Sequence, residues 1–130
     1  MPFRPPSVHA YLLDTADGWV LVDGGLGTDA AWEALDAGVR AAAGGWEAVR
    51  LHVVSHMHMD HVGLSRRARD ASGARVAMGR LDAERMAHAA ADPAEEAGYR
   101  RGMLRRCGAP EAWIDAVEGA RAEAQPLAPP

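Results

Sequence analysis

Four potential metal ligands lie within six consecutive residues of this chain: His56, His58, Asp60 and His61. They directly follow the run Arg50 to Ser55, whose apolar residues predict a strand. His56 and His58 are two residues apart, so in an extended segment they project from the same side. Two such imidazoles suit zinc or iron. Asp60 and His61 come where the chain must turn into the next helix, so they can face a second metal.

The alternative is that these are ordinary surface histidines. Against it, three of the 6 histidines of the chain fall within the cluster, and an aspartate lies among them. The predicted strand, loop and helix are also what a site at the carboxyl end of a strand requires. We therefore favour a metal site. The fold must then leave the carboxyl end of this strand accessible.

The pattern around the cluster predicts an α/β layered fold. Val8 to Leu13 and Trp19 to Val22 indicate a β-hairpin, because turn-forming residues separate them. A helix is predicted from Thr28, a suitable cap, and it ends at Gly44 and Gly45. A second helix over Leu64 to Ala71 and a strand over Ala74 to Met78 follow the cluster. The order β-β-α-β-α-β is typical of helices layered on a sheet.

The character of the sequence changes after Arg80. Three helices are predicted, over Leu81 to Ala91, Ala94 to Cys107 and Glu111 to Ala124. Their apolar residues recur at helical spacing, which favours packing among the helices over a lid on a substrate pocket. Residues 125–130 are predicted as a linker or frayed end. The length of 130 residues fits one domain over 1–130, with the helical segment 80–124 within it.

Charge and hydropathy exclude several classes of partner. The net charge is -4, from 14 basic and 18 acidic residues, so the chain has no basic footprint for nucleic acid. No apolar run approaches the length that crosses a bilayer, and residues 1–6 lack the apolar core of a signal peptide. We expect a cytoplasmic protein that acts on a small molecule.

Two segments resemble the metallo-β-lactamase superfamily. Ser55 to Gly63 is similar to its His-x-His-x-Asp-His motif, and Leu21 to Gly25 is similar to its apolar strand that ends in Asp-x-Gly. The resemblance covers roughly Val8 to Met78. It implies an αββα sandwich of two similar halves, with the metals at one edge between the sheets. This chain would be the N-terminal half, with residues 80–124 as a helical insertion after the second βα unit.

The resemblance also implies roles for individual residues. His56 and His58 would bind the first metal, while Asp60 and His61 would bind the second. Asp23 matches a family aspartate close to the metal loop, where it would support a ligand without touching the metal. Its alternative role is that of a turn-forming residue before two glycines.

The function implied by the resemblance is metal-dependent hydrolysis, with two zinc ions in the site. A zinc-activated hydroxide would attack the carbonyl of an ester, lactone, thioester or β-lactam, with Asp60 helping to orient it. One alternative is an oxidoreductase that resembles the mononuclear iron persulfide dioxygenases, because the same ligands suit iron. Another is a non-catalytic metal-binding domain.

Full-length family members supply further ligands from the second half of the fold. Beyond His61 the only histidine here is His88, in an alanine-rich helical stretch, where we predict a surface or packing role. His52 lies in a predicted strand and is predicted to be structural, while His9, at the start of the first strand, is predicted to be a surface or strand-edge residue. We therefore expect an incomplete site, with the remaining ligands supplied by a missing C-terminal half or by another chain.

Overall fold

A computed structural model describes residues 7–124 and contains a four-stranded sheet. The strands are β1 (Tyr11–Thr15), β2 (Gly18–Val22), β3 (Val49–Val54) and β4 (Arg75–Met78), in that spatial order. The first two pair antiparallel as the predicted hairpin, and the others pair in parallel. The α/β class is confirmed, although β1 begins at Tyr11 and not at Val8.

Helix α1 (Asp29–Ala43) begins and ends where its capping residues place it. The Thr28 side chain accepts a hydrogen bond from the backbone N–H of Ala31 at 3.2 Å. Gly44 ends the helix in the left-handed conformation, with a φ of 83°, which glycine adopts without a steric penalty. A 3-10 turn over Trp46–Ala48 then leads into β3. This turn was not predicted from the sequence.

Helices α1 and α3 (Ser65–Ser72) contribute to the core on one side of the sheet. The Trp46 ring stacks on Trp32 with centroids 5.0 Å apart, and its Nε1–H donates to Asp36 at 2.7 Å. The buried cluster consists of Leu21, Val39, Trp46, Val49, Ala68 and Ala74. Packing on this side fixes β2 beside β3, so that the carboxyl ends of both strands meet at one edge.

The opposite side of the sheet is also apolar, but it is less buried. Strand alternation and the pairing register bring six apolar side chains to this side. Tyr11 is 58% exposed and Leu13 is 50% exposed, while the four others are partly buried. We call this surface the open sheet face: Tyr11, Leu13, Val20, Val22, Leu51 and Val53. A face of this kind normally packs against another layer.

Three further helices follow β4, as predicted: α4 (Arg80–Ala91), α5 (Pro93–Arg106) and α6 (Glu111–Ala124). Neither α4 nor α5 has a buried residue. Arg100 on α5 contacts Glu96 at 3.4 Å and Glu118 on α6 at 2.8 Å. That residues 80–124 are an insertion within one domain stays a prediction, and residues 125–130, predicted as a linker, lie outside the described residues. Among the helices of residues 7–124, none is long and apolar enough to cross a membrane.

Candidate metal centre

The predicted ligands lie at the edge where β2 and β3 end. His56 and His58 are in the loop after β3, and Asp60 and His61 are on the short helix α2 (Met59–Val62). His58 is extended, with φ −67° and ψ 142°, so the chain changes direction between the two pairs. This change of direction was predicted from the sequence, but a separate helix was not.

Backbone hydrogen bonds join this loop to the turn after β2. The N–H of Gly24 donates to the carbonyl of His61 at 2.9 Å, and the N–H of Leu64 donates to the carbonyl of Gly25 at 3.2 Å. Gly63 is where the two segments come closest. A Cβ there would lie 2.5 Å from the backbone nitrogen of Gly27 and 2.9 Å from the carbonyl oxygen of Gly25. Only glycine permits this approach.

His56 and His58 form the first pair of potential ligands. The Nε2 atom of His56 lies 3.0 Å from the Nδ1 atom of His58. Two nitrogens bound tetrahedrally to zinc at about 2.0–2.1 Å are roughly 3.3 Å apart. The separation of these two atoms is therefore close to that of two ligands on one ion. Without metal, one of the two nitrogens must carry a proton, since two lone pairs repel at this distance.

Asp60 and His61 form the second pair. The Oδ2 atom of Asp60 is 3.8 Å from the Nε2 atom of His61, about half an ångström more than a tetrahedral zinc site needs. The rings of His56 and His61 have centroids 4.1 Å apart, so the two pairs are neighbours.

Asp23 connects the turn after β2 to both pairs. It is 6% exposed and has a φ of 59°, a left-handed conformation that aspartate tolerates better than most residues. Its Oδ1 accepts a hydrogen bond from the Ser55 backbone N–H, and its Oδ2 accepts from the Ser55 hydroxyl and from His61 Nδ1, each at 2.8 Å. Burial alone would raise the pKa of Asp23, but these hydrogen bonds from Ser55 and His61 lower the pKa below its ordinary value.

Ser55 extends this network, and the sequence analysis did not predict its role. Its Oγ lies 3.0 Å from Nδ1 of His56 while it donates to Asp23. His56 can therefore donate its Nδ1–H to Ser55, as His61 donates its own to Asp23. Nε2 of both rings is then unprotonated and has a lone pair for a metal, which is how supporting carboxylates orient metal-binding imidazoles. The only sequence signal for Ser55 was its place between β3 and the first histidine.

The donor set fits a zinc-type ion, because imidazole nitrogens and a carboxylate are the ligands that zinc takes. The side chains are close enough to share an ion only as two separate pairs, His56 with His58 and Asp60 with His61. Within residues 7–124, no group of three or more His, Cys, Asp or Glu side chains is arranged to hold a metal ion. The assignment of His56, His58, Asp60 and His61 as ligands thus stays a prediction, as does the source of any remaining ligands.

The other histidines lie apart from these pairs. His9 is exposed beside Tyr11, and His88 is exposed on α4, 3.8 Å from Glu95. His52 on β3 is 1% exposed, and neither of its ring nitrogens has a hydrogen-bond partner among the described residues. Burial lowers the pKa of His52, although the charge of Asp23 partly offsets this, so the folded chain favours the neutral ring.

Comparisons with known proteins agree with this fold. A family model described as the metallo-beta-lactamase superfamily matches residues 3–128. A solved metallo-beta-lactamase from Cronobacter sakazakii, described by its HARLDQ motif, is 33% identical with a TM-score of 0.54, and the match covers 61% of this chain and 30% of that chain. No curated protein matches significantly.

Two further solved structures are similar. The Rm3 metallo-beta-lactamase is 32% identical, with a TM-score of 0.52, over 57% of this chain and 27% of that chain. A subclass B3 metallo-beta-lactamase of Bradyrhizobium japonicum is 20% identical, with a TM-score of 0.52, over 56% and 27%. That last likeness concerns the fold alone. Each match covers less than a third of the solved relative.

Proposed function

This chain belongs to the metallo-beta-lactamase superfamily, and we propose that it contributes the N-terminal half of a zinc-dependent hydrolase. The observation that carries the proposal is the separation of 3.0 Å between His56 Nε2 and His58 Nδ1. Asp23 and Ser55 support the proposal, since they bind Nδ1 of His61 and His56 and so leave Nε2 of each ring unprotonated.

The chemistry follows from the donors. We assign His56 and His58 to one zinc, and Asp60 and His61 to a second. When bound, the metal supplies an acidified water molecule as nucleophile and a positive charge that stabilises the oxyanion of an attacked carbonyl. Asp23 and Ser55 keep the imidazoles from rotating, and Asp60 helps to orient the nucleophile. The substrate class we propose is a small molecule with an ester, lactone, thioester or β-lactam carbonyl.

We further propose that the open sheet face is covered by the second half of the fold, or by another chain, which supplies the remaining ligands. The large hydrophobic side chains of Tyr11 and Leu13 are 58% and 50% exposed, respectively. Burying such a face against a second sheet is the usual way to complete a sandwich. The ligand pairs lie at the end of this sheet, so a sheet on the open face would bring its own loops beside them.

Metal content tests the site. The chain, joined to the remainder of its fold, is loaded with zinc, iron and manganese salts, dialysed without chelator and analysed for each element. We expect bound zinc in the wild type, its loss in His56→Ala, because a direct ligand disappears, and no loss in the control His88→Ala, because His88 is exposed on α4.

Equal zinc content in His56→Ala and the wild type would contradict the ligand assignment. Selective retention of iron would contradict the zinc assignment and favour the oxidoreductase alternative. Turnover is then measured on a panel of esters, lactones, thioesters and β-lactams, with the chain joined to the remainder of its fold. Failure of every substrate with zinc bound would favour a non-catalytic metal-binding domain.

A further inference from the structure

Asp82 lies in the first turn of α4, 25 residues beyond the metal-binding loop, yet its side chain reaches that loop. Its Oδ1 accepts a hydrogen bond from the backbone N–H of Met57 at 3.0 Å. Met57 is the residue between His56 and His58, so this amide belongs to the segment that sets the spacing of the two imidazoles.

The position of Asp82 in its helix makes this contact informative. Asp82 is the third residue of α4, and the residue before the helix, Gly79, provides no side-chain cap. An aspartate there is favoured near the positive end of the helix dipole whether or not it contacts anything else. Here its carboxylate is partly buried and bonded to a backbone group outside its own helix. A helix-capping role alone does not explain that partner.

From this contact we propose that Asp82 is a positioning residue for the metal-binding loop. It fixes the peptide between His56 and Met57, which keeps His56 Nε2 facing His58 Nδ1 at 3.0 Å. Because α4 begins the helical segment of residues 80–124, that segment is coupled to the geometry of the first ligand pair. A hydrogen bond from an N–H to an ionised carboxylate is stronger than one to a neutral acceptor.

The inference rests on the proposed function only for its effect on metal binding. The loop geometry itself is tested without metal. Three variants of the whole chain are compared with the wild type: Asp82→Ala removes the acceptor, Asp82→Asn keeps an acceptor oxygen without the charge, and Asp92→Ala is the control. Asp92 accepts a hydrogen bond from the Glu95 N–H at 2.9 Å at the start of α5. Its loss therefore weakens a helix terminus of the same segment, far along the chain from the loop.

Two readouts are taken. The first is hydrogen exchange of the Met57 amide, with the imidazole ¹⁵N resonances of His56 and His58, by NMR in the presence of chelator. The second is the affinity for Co(II), followed by its absorption as a probe of the zinc site. We expect Asp82→Ala to lose protection at Met57, to shift both imidazole resonances and to weaken Co(II) binding about tenfold. Asp82→Asn should stay within about threefold of the wild type, and Asp92→Ala should change neither readout.

Unchanged Met57 exchange and unchanged imidazole resonances in Asp82→Ala would overturn the inference. Equal losses in Asp92→Ala would overturn it too, because they would mean general loosening of the helical segment. Circular dichroism establishes that each variant is folded. If Asp82→Ala is not folded, the Met57 amide of the wild type decides the matter, because exchange as fast as that of a solvent-exposed amide would overturn the inference. If the wild type binds no Co(II), the two ligand pairs do not hold a metal without the remaining ligands, while the exchange and imidazole measurements still decide the role of Asp82.

Discussion

Replacing His52 by leucine is expected to stabilise the chain, and more so in acid. His52 is 1% exposed, and both ring nitrogens lack hydrogen-bond partners among the described residues. A buried polar group without a partner costs about 1–3 kcal/mol. Leucine has a similar volume and no polar atom, so His52→Leu should raise the free energy of unfolding by about 1–3 kcal/mol at pH 7.5.

The pH dependence follows from the direction of the pKa shift. Burial lowers the pKa of His52 in the folded chain, with Asp23 opposing, while the unfolded chain keeps a value of about 6.5. Below that pH the unfolded state binds a proton that the folded state takes up only at lower pH. The wild type therefore loses stability as the pH falls from about 6.5 towards the folded pKa, by up to about 1.4 kcal/mol per pH unit. His52→Leu removes this loss.

The assay is urea denaturation at pH 7.5 and 5.5, with chelator present so that metal binding does not contribute. The advantage of His52→Leu should be larger at pH 5.5 than at pH 7.5, by up to about 1.4 kcal/mol. The control is His88→Leu, whose imidazole is 62% exposed, and which should change the free energy of unfolding by less than about 0.5 kcal/mol at pH 7.5. A variant less stable than the wild type, or an advantage independent of pH, would refute the reasoning.

Two further substitutions test the edge of the sheet. Gly63→Ala places a Cβ within 2.5 Å of backbone atoms of Gly27 and Met59, so urea denaturation should show a loss of about 1–3 kcal/mol. The control Gly38→Ala has open space around its new Cβ in α1, so its free energy of unfolding should rise by about 0.5–1 kcal/mol. Equal effects of the two changes would mean that the close contact of Gly63 with the turn after β2 is unimportant for stability. Ser55→Ala should weaken zinc binding about tenfold in a competition titration, because His56 loses its orienting partner. Ser55→Thr keeps the hydroxyl and should bind zinc as the wild type does. Equal zinc affinities of the two variants would mean that the hydroxyl does not orient His56.

The sequence predicted the elements of the fold well, because their signals are local. Thr28 caps α1 and Gly44 ends it, as their backbone preferences require. The start of β1 was placed too early, because Val8 is as apolar as the strand residues and nothing in the sequence separates it from them. The short helix α2 was missed, since the four residues Met59–Val62 are too few to show a helical period.

The contacts within the candidate site were less predictable, because they join distant parts of the chain. Asp23 lies 38 residues from His61 and 32 from Ser55. Their meeting depends on the parallel register of β2 and β3, which pairs Val22 with Val53. Resemblance to the family placed Asp23 near the metal loop, but no pattern in the sequence pointed to Ser55 or Asp82. The sequence is silent on side-chain contacts that depend on register.

The same register ties the stability of the chain to the geometry of the site. It pairs Leu21 with His52, and the next residues, Val22 and Val53, with each other. Immediately after Val22, the Asp23 N–H donates to the Val53 carbonyl at 2.9 Å. His52 thus lies beneath the turn that carries Asp23, and a Cβ on Gly24 would be 3.5 Å from its ring. A slip of one residue would turn His52 towards the open sheet face and remove Asp23 from Ser55. The carboxylate that orients His61 directly, and His56 through Ser55, is therefore held in place by the pairing of buried strands as well as by its own hydrogen bonds.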